Sequence, residues 1–250
     1  MRRLLNLAHH GLHRLAATGP ARPAHRAQHA PDGHAPDGHG PDRPGHGRRG
    51  PGTGRPDGDD GGMSVTGEQY DRFAGRMLAG LHRRAASEAA DLPDGAAVLD
   101  IGTGPGRLLL HLAARRPGLH AHGVDVSPAM VERARHNAAA HGLAAHITVH
   151  LGEAARLPFD DDTLDLVVST LSVHHWPDVP AAAREIARVL RPGGRLVVYD
   201  FRGVADTRPT GALAACPAFA GARVERRTLS GGPTLPLPLF ARLALELPRR

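Results

Sequence analysis

Lysine is absent from this 250-residue chain: all 31 of its Lys+Arg positions are arginine. Together with abundant Ala, Gly and Pro, that substitution reads as a GC-rich coding bias rather than as a functional basic surface. An uneven charge distribution is missing too. Residues 1–62 carry 9 Arg against 6 Asp, and residues 63–250 carry 22 Arg against 19 acids, so no basic stripe marks a nucleic-acid surface. Aromatic residues make up only 3 %, which leaves little material for stacking single-stranded bases. A single cysteine, Cys216, excludes a disulfide framework and a clustered-cysteine zinc site, and fits a reducing, cytoplasmic setting. No apolar run approaches the roughly 20 residues of a membrane helix, because Arg, Asp or Gly interrupts each candidate.

Glycine and proline, by contrast, are concentrated at the front. Residues 20–62 hold 11 Gly and 8 Pro, a composition that reads as disordered low-complexity chain. The segment before it is a poor signal peptide, since His9, His10 and His13 interrupt the apolar stretch. The repeat Ala30-Pro-Asp-Gly-His34, Ala35-Pro-Asp-Gly-His39 has two readings, a weak metal-binding tract and a solvated linker; mobile histidines with nothing to orient them favour the linker. A third reading places the translation start at Met63. The expected organisation is a disordered segment over 1–62 and one domain over 63–250, long enough to bury a core.

Beyond Met63 five apolar runs read as strands: Ala97–Ile101, Ala121–Val126, His146–Leu151, Leu164–Ser169 and Arg195–Asp200. They start 18 to 31 residues apart, and helix punctuation lies between them. Ser127-Pro128 starts a helix that Gly142 stops, and Asp178 precedes a helix over Ala181–Leu190 that Pro192-Gly-Gly194 ends. Repeated strand–helix–strand units of this size predict an α/β fold, a doubly wound and mainly parallel sheet. Val224–Leu229 and Leu239–Leu247 read as a final strand pair, with Pro233, Pro236 and Pro238 in the connection.

Ligands of such sheets bind at the carboxyl ends of the strands, and there the first run ends in Asp100-Ile-Gly102-Thr103-Gly104-Pro-Gly106. The next run ends at Asp125, 19 residues past Gly106, where a carboxylate can accept hydrogen bonds from both ribose hydroxyls. A dinucleotide loop would carry a third glycine where this chain has Arg107, and Pro105 removes an N–H that a phosphate would use. The pattern therefore favours an adenosine cofactor without phosphates. At this point the sequence resembles the class I S-adenosylmethionine-dependent methyltransferases, whose first motif looks like Val98–Gly106. Gly123–Met130 is similar to their second motif, with Asp125 on the ribose and Val126 beside it. Gly152-Glu153-Ala154 resembles the adenine-binding segment, where Asp is commoner than Glu. Asp165–Trp176, containing Ser169, and Glu185–Leu196 are similar to the ubiquinone and menaquinone biosynthesis branch.

The resemblance covers about residues 66 to 202 and implies a Rossmann-like, seven-stranded sheet, S-adenosyl-L-methionine as cofactor and no metal. It further implies cofactor contacts at Asp100, Gly102, Thr103, Gly104, Gly106, Asp125, Val126, Glu153, Ala154 and Ser169, and a lid helix over Gly67–Arg76 that brings Tyr70 over the cofactor. Methyl transfer from a sulfonium needs alignment above all, and a base only when the acceptor is a hydroxyl or an acidic carbon. His174 and His175, in the loop after the fourth strand, are the candidates for that base; the alternative is that they shape the loop. Trp176 is expected to wall the pocket. The same loop reads Ser169-Thr-Leu-Ser, without the Asn/Asp-Pro-Pro-aromatic pattern of amino-group methylators of bases and proteins, which favours a small-molecule acceptor. Two other readings stay open: a nicotinamide-dependent oxidoreductase, and a cofactor-binding module of the same fold without turnover.

Overall fold

The structure is a computed structural model that describes residues 78–202, 208–230 and 237–249. The expectations for residues 1–62, for a start at Met63 and for Tyr70 in a helix over 67–76 lie outside the described residues. Helix α1 covers residues 78–87. It is followed by β1 (Ala97–Ile101), α2 (Arg107–Arg115), β2 (His120–Asp125), α3 (Pro128–Ala140), β3 (Ile147–Leu151) and β4 (Leu164–Thr170). Then come α4 (Val179–Val189), β5 (Leu190–Phe201), α5 (Arg208–Ala215), β6 (Arg223–Ser230) and β7 (Pro238–Glu246).

The helix boundaries follow local chemistry. Ser127 sits in extended backbone before Pro128, whose fixed φ suits a first helical position. Asp178 caps α4 by accepting the backbone N–H of Ala181 at 2.8 Å. The sheet has the order β3-β2-β1-β4-β5-β7-β6. Strands β1 to β5 are parallel, and β7 runs antiparallel between β5 and β6. The chain order reverses between β1 and β4, which opens a crevice at their carboxyl ends.

Each face of the sheet buries its own core. Leu81 and Ala85 of α1, Leu108, Leu109 and Leu112 of α2, and Val131 and Ala134 of α3 pack on Val98, Ala121 and Leu166. On the other face Ala182, Ile186 and Val189 of α4 and Leu213 of α5 pack on Leu99, Val167 and Leu196. The central strands are apolar on both sides because helices cover both.

Besides shifts of a residue or two at element ends, three features differ from the sequence reading. Strand β5 begins at Leu190, not Arg195: Leu190 pairs with Leu164 and Arg195 with Leu166, so Arg191–Gly194 is accommodated as an irregularity within the strand rather than a connection before it. The left-handed φ of 79° at Gly193 permits this. Pro238 is the first residue of β7 instead of part of the loop, a position where a missing N–H costs no ladder bond. Helix α5 carries no strong apolar period in the sequence, which is why it went unread. Asp165 ties the amino ends of the sheet, accepting the N–H of Ala97 at 2.8 Å and a two-pronged pair from Nη1 of Arg191 at 2.8 and 2.9 Å.

Candidate functional site

The loop after β1 is held from three sides. Gly102 and Thr103 donate their backbone N–H groups to the carbonyl of Val124 at 2.9 and 3.1 Å, which locks the end of β1 to the end of β2. Asp125 then reaches back: Oδ2 accepts the N–H of Gly104 at 2.8 Å, and Oδ1 accepts that of Ser127 at 2.9 Å. From α3, Nδ2 of Asn137 donates to the carbonyl of Pro105 at 2.9 Å. Asn137 is a loop-positioning residue that no sequence signal announced.

Two glycines of this loop are required for distinct reasons. Gly102 has φ 72°, and a Cβ placed on it would lie 2.0 Å from Oγ of Ser172, so the loop after β4 presses against the loop after β1. Gly104 has φ 53°, and a Cβ there would meet nothing within 4 Å: the backbone faces open space, where a ligand can approach it closely. Gly106 caps α2 in a left-handed conformation.

Polar groups without partners gather where β1 and β4 end. Asp100 is buried, and neither carboxylate oxygen has a hydrogen-bond partner; Oγ1 of Thr103 and Oγ of Ser169 are equally buried and unpartnered. Burial, opposed by the nearby Thr103 hydroxyl and joined by the negative charge of Asp125, pushes the Asp100 carboxyl up to about 7. A buried acid with no donor is costly, and a ligand that brings a positively charged N–H would satisfy it. Val126, beside Asp125, stands 71 % exposed, an apolar surface at the mouth of the crevice. Glu153 and Ala154 lie in the turn just after β3, with Glu153 exposed and Ala154 buried. The crevice thus brings together Asp100, Gly102, Thr103, Gly104, Gly106, Asp125, Val126 and Ser169, with Glu153 and Ala154 at its edge. Among the described residues no group of three or more His, Cys, Asp or Glu is arranged to hold a metal.

The loop after β4 is strained. Leu171 has φ 54°, a left-handed conformation that a branched residue rarely adopts, and its N–H donates to the carbonyl of Tyr199 on β5 at 2.8 Å. This turn drops Ser172 onto Gly102 and leads into the short 3-10 turn Val173–His175. Nε1 of Trp176 donates to Oγ of Ser172 at 3.0 Å and the half-buried ring packs against the core on the α4 side, so it braces the loop. The rings of the two candidate histidines lie with centroids 4.0 Å apart, tilted 47° to each other. Nδ1 of His174 lies 2.9 and 3.0 Å from the carboxylate oxygens of Asp200 at the end of β5. Asp200 is the residue the sequence reading missed, since a pair formed across 26 residues leaves no local pattern.

Other polar clusters lie elsewhere. A cavity of about 390 Å³ at the amino ends of the strands, lined by Asp165, Arg191 and Arg249 among others, contains none of these residues.

Comparison with known proteins agrees with this geometry. Residues 99–198 match the methyltransferase domain family. The chain is similar to methyltransferase GfsG of Streptomyces halstedii, 40 % identical over 121 residues that make up 48 % of this chain and 43 % of that protein. It is also similar to demethylmenaquinone methyltransferase of Thermus thermophilus, 40 % identical over 104 residues, 42 % of this chain and 46 % of that one. The chain therefore spans less than half the length of these curated relatives. Among solved structures, a SAM-dependent methyltransferase from Aquifex aeolicus shares the fold with a TM-score of 0.55 at 21 % identity, covering 66 % of this chain and 89 % of that one. Motifs, strand order and sequence similarity agree that residues 99–198 form a class I S-adenosylmethionine-dependent methyltransferase domain, similar to that of the ubiquinone and menaquinone biosynthesis methyltransferases.

Proposed function

We propose that the chain transfers a methyl group from S-adenosyl-L-methionine to a small organic acceptor by in-line displacement. The observation that carries the reading is the crevice between β1 and β4, where a glycine loop organised by Asp125 lies beside the buried, partnerless Asp100. Asp125 offers further lone pairs to ribose hydroxyls, and Val126 offers an apolar surface to the adenine, with Glu153 and Ala154 at its edge. Asp100, Thr103 and Ser169 suit the charged amino-acid end. Nothing in this set resembles a pyrophosphate cradle, because Pro105 lacks the N–H and Arg107 opens α2.

The cofactor supplies a methyl group on a cationic sulfur that leaves as a neutral thioether. The protein's part is to hold both reactants in line, which in well-oriented systems corresponds to effective molarities of about 10⁵–10⁸ M. Relatives named for demethylmenaquinone methylation, together with the Ser169-Thr-Leu-Ser loop and the absence of a basic stripe, support a small-molecule acceptor over nucleic acid or protein. The reading assigns the reaction to residues 63–250, in the cytoplasm, with residues 1–62 outside the catalytic unit.

The test is label transfer from methyl-tritiated S-adenosylmethionine by the full chain, offered a panel of phenols, quinols and natural-product acids. Labelled product from at least one small acceptor is expected. Cofactor binding with no label transferred to any of them would favour the module without turnover.

A further inference from the structure

His122 on β2 and His150 on β3 lie on one face of the sheet, since His122 pairs with Thr148 and Val124 with His150. Their ring centroids are 6.0 Å apart, and the ring of Phe159 stands across both, 5.3 Å from each centroid with its plane at 78° and 75° to theirs. All three side chains are half-buried. Nδ1 of His122 and Nε2 of His150 are shut off from solvent and meet no hydrogen-bond partner. A neutral imidazole tolerates this, because its one proton can sit on the other nitrogen and leave only a lone pair inside. An imidazolium does not: both nitrogens carry a proton, and the sequestered one becomes a charged N–H without an acceptor. Among the described residues the ionisable groups facing the pair are His120 of β2 and Arg135 of α3, and neither can compensate a positive charge. Burial first, and then the charges of His150 and His120, hold His122 below the ordinary 6.5; burial, and then Arg135, do the same for His150.

Phe159 closes the turn that carries Glu153 and Ala154. Gly152, at its start, donates its N–H to the carbonyl of Asp125 at 3.0 Å, and Leu157 donates to Oε1 of Glu185 on α4 at 2.9 Å. The third anchor is Phe159, packed on the two histidines and on the core of the α4 face. We propose that His122 and His150 are positioning residues that form a proton-sensitive seat for Phe159, so that acidification loosens the Glu153–Ala154 edge of the crevice and weakens its hold on S-adenosylmethionine. The proposal rests on the methyltransferase reading above, which puts that edge beside the adenine. The neutral pair seats the Phe159 ring. A charged pair has to turn its sequestered nitrogens to water, and Phe159 then loses the surface it packs on. The deprotonated form is the one that holds the cofactor, so affinity is present above the two midpoints, which lie below 6.5, and is lost as pH falls through them. By linkage, bound cofactor pushes both midpoints further down.

Two measurements on the full chain decide it. Proton spectra of the histidine C2–H resonances, assigned by their loss in His122→Phe and in His150→Phe, give both midpoints with and without S-adenosylhomocysteine. Without ligand both should lie below 6.5; with it both should fall, the two shifts adding to about one pH unit for a tenfold coupling. Calorimetric titration with S-adenosylhomocysteine at pH 7.5 and 5.0 reads the same coupling as affinity. The ratio of the dissociation constants at the two pH values should be about tenfold smaller in the double variant His122→Phe/His150→Phe than in the wild type, since phenylalanine keeps an aromatic seat that takes no proton. Asp100, which titrates at about 7, contributes to both proteins and cancels in the comparison. Should the double variant not fold, as shown by its thermal melt, the wild-type midpoints carry the decision. Midpoints at or above 6.5, midpoints that ignore the ligand, or equal ratios in wild type and double variant would each overturn it. Failure of the wild type to bind S-adenosylhomocysteine at pH 7.5 would instead overturn the methyltransferase reading, with the ligand-free midpoints still testing the seat.

Discussion

Gly104 donates its backbone N–H to Oδ2 of Asp125 at 2.8 Å, across 21 residues of chain, so the acid that ends β2 shapes the loop that ends β1. A single carboxylate therefore serves as brace and, in the proposed function, as ribose ligand. Asp125→Ala removes both contributions. Cofactor affinity should fall by roughly 100-fold, about 3 kcal/mol, since hydrogen bonds to a charged group contribute ~1.5–3 kcal/mol each. Calorimetric titration of the variant with S-adenosylmethionine checks this, and an unchanged affinity would remove Asp125 from the site.

Gly102→Ala should be poorly tolerated, because the new Cβ would lie 2.0 Å from Oγ of Ser172 at a φ of 72°. Overpacking and left-handed strain each cost of order 1–3 kcal/mol. Combining it with Ser172→Gly relieves the clash but not the strain. The double variant should then recover part of the stability lost in urea unfolding; no recovery would mean that the two loops do not press on each other.

Asp100 should make stability depend on pH in an unusual direction. Its carboxyl is raised from 3.8 to about 7 by burial and by the neighbouring charge of Asp125. Below pH 3.8 the group is neutral in folded and unfolded chains alike. Between there and about 7 the unfolded chain ionises while the folded one stays neutral, so the fold loses stability as pH rises. The full loss is of order 4 kcal/mol above pH 7, at about 1.4 kcal/mol per pH unit. Asp100→Asn escapes it. Urea midpoints should therefore favour Asp100→Asn at pH 8 and converge near pH 4, while its cofactor affinity drops. Equal midpoints at pH 8 would show that the acid is satisfied in the free protein.

Glu88 joins the end of α1 to the antiparallel edge of the sheet. It accepts from Arg242 at 2.7 and 2.8 Å and from the hydroxyl of Tyr199, all three partly or fully buried. Burial alone would raise the Glu88 carboxyl, but the bonds from Arg242 and Tyr199, aided by the charges of Arg242 and Arg195, hold it below its usual 4.5. A depressed acid contributes stability above pH 4.5 that is lost as pH falls through its folded value. Glu88→Gln should cost about 3 kcal/mol near neutrality by leaving Arg242 under-paired, and the gap should narrow in acid. A constant gap between pH 7 and pH 3 would contradict the assignment.

Much of the sheet was legible because its signals are local. The apolar runs from Val98 to Tyr199 and the caps at Ser127 and Asp178 act within a few residues, as does the glycine loop. Even the ends of β1 and β4 came out within a residue. What escaped depends on contacts between distant segments. Leu190 enters β5 only because Leu164 pairs with it, and nothing near Arg191-Pro-Gly-Gly194 announces a strand. Asp200, read as the end of a strand, gains its meaning from His174, 26 residues away. Ser172 matters through its contact with Gly102, and Asn137 through the carbonyl of Pro105. Trp176 braces its loop through the bond from its N–H to Ser172. The glycine loop and the acid that ends β2 were thus readable as motif, whereas the contacts of the loop after β4 are written in tertiary pairs.

The most direct test of the central claim is calorimetric titration of the full-length protein with S-adenosylmethionine, S-adenosylhomocysteine and the nicotinamide dinucleotide. The account predicts saturable one-site binding of the first two and no binding of the dinucleotide. Saturable binding of the dinucleotide, with neither sulfur ligand bound, would contradict it.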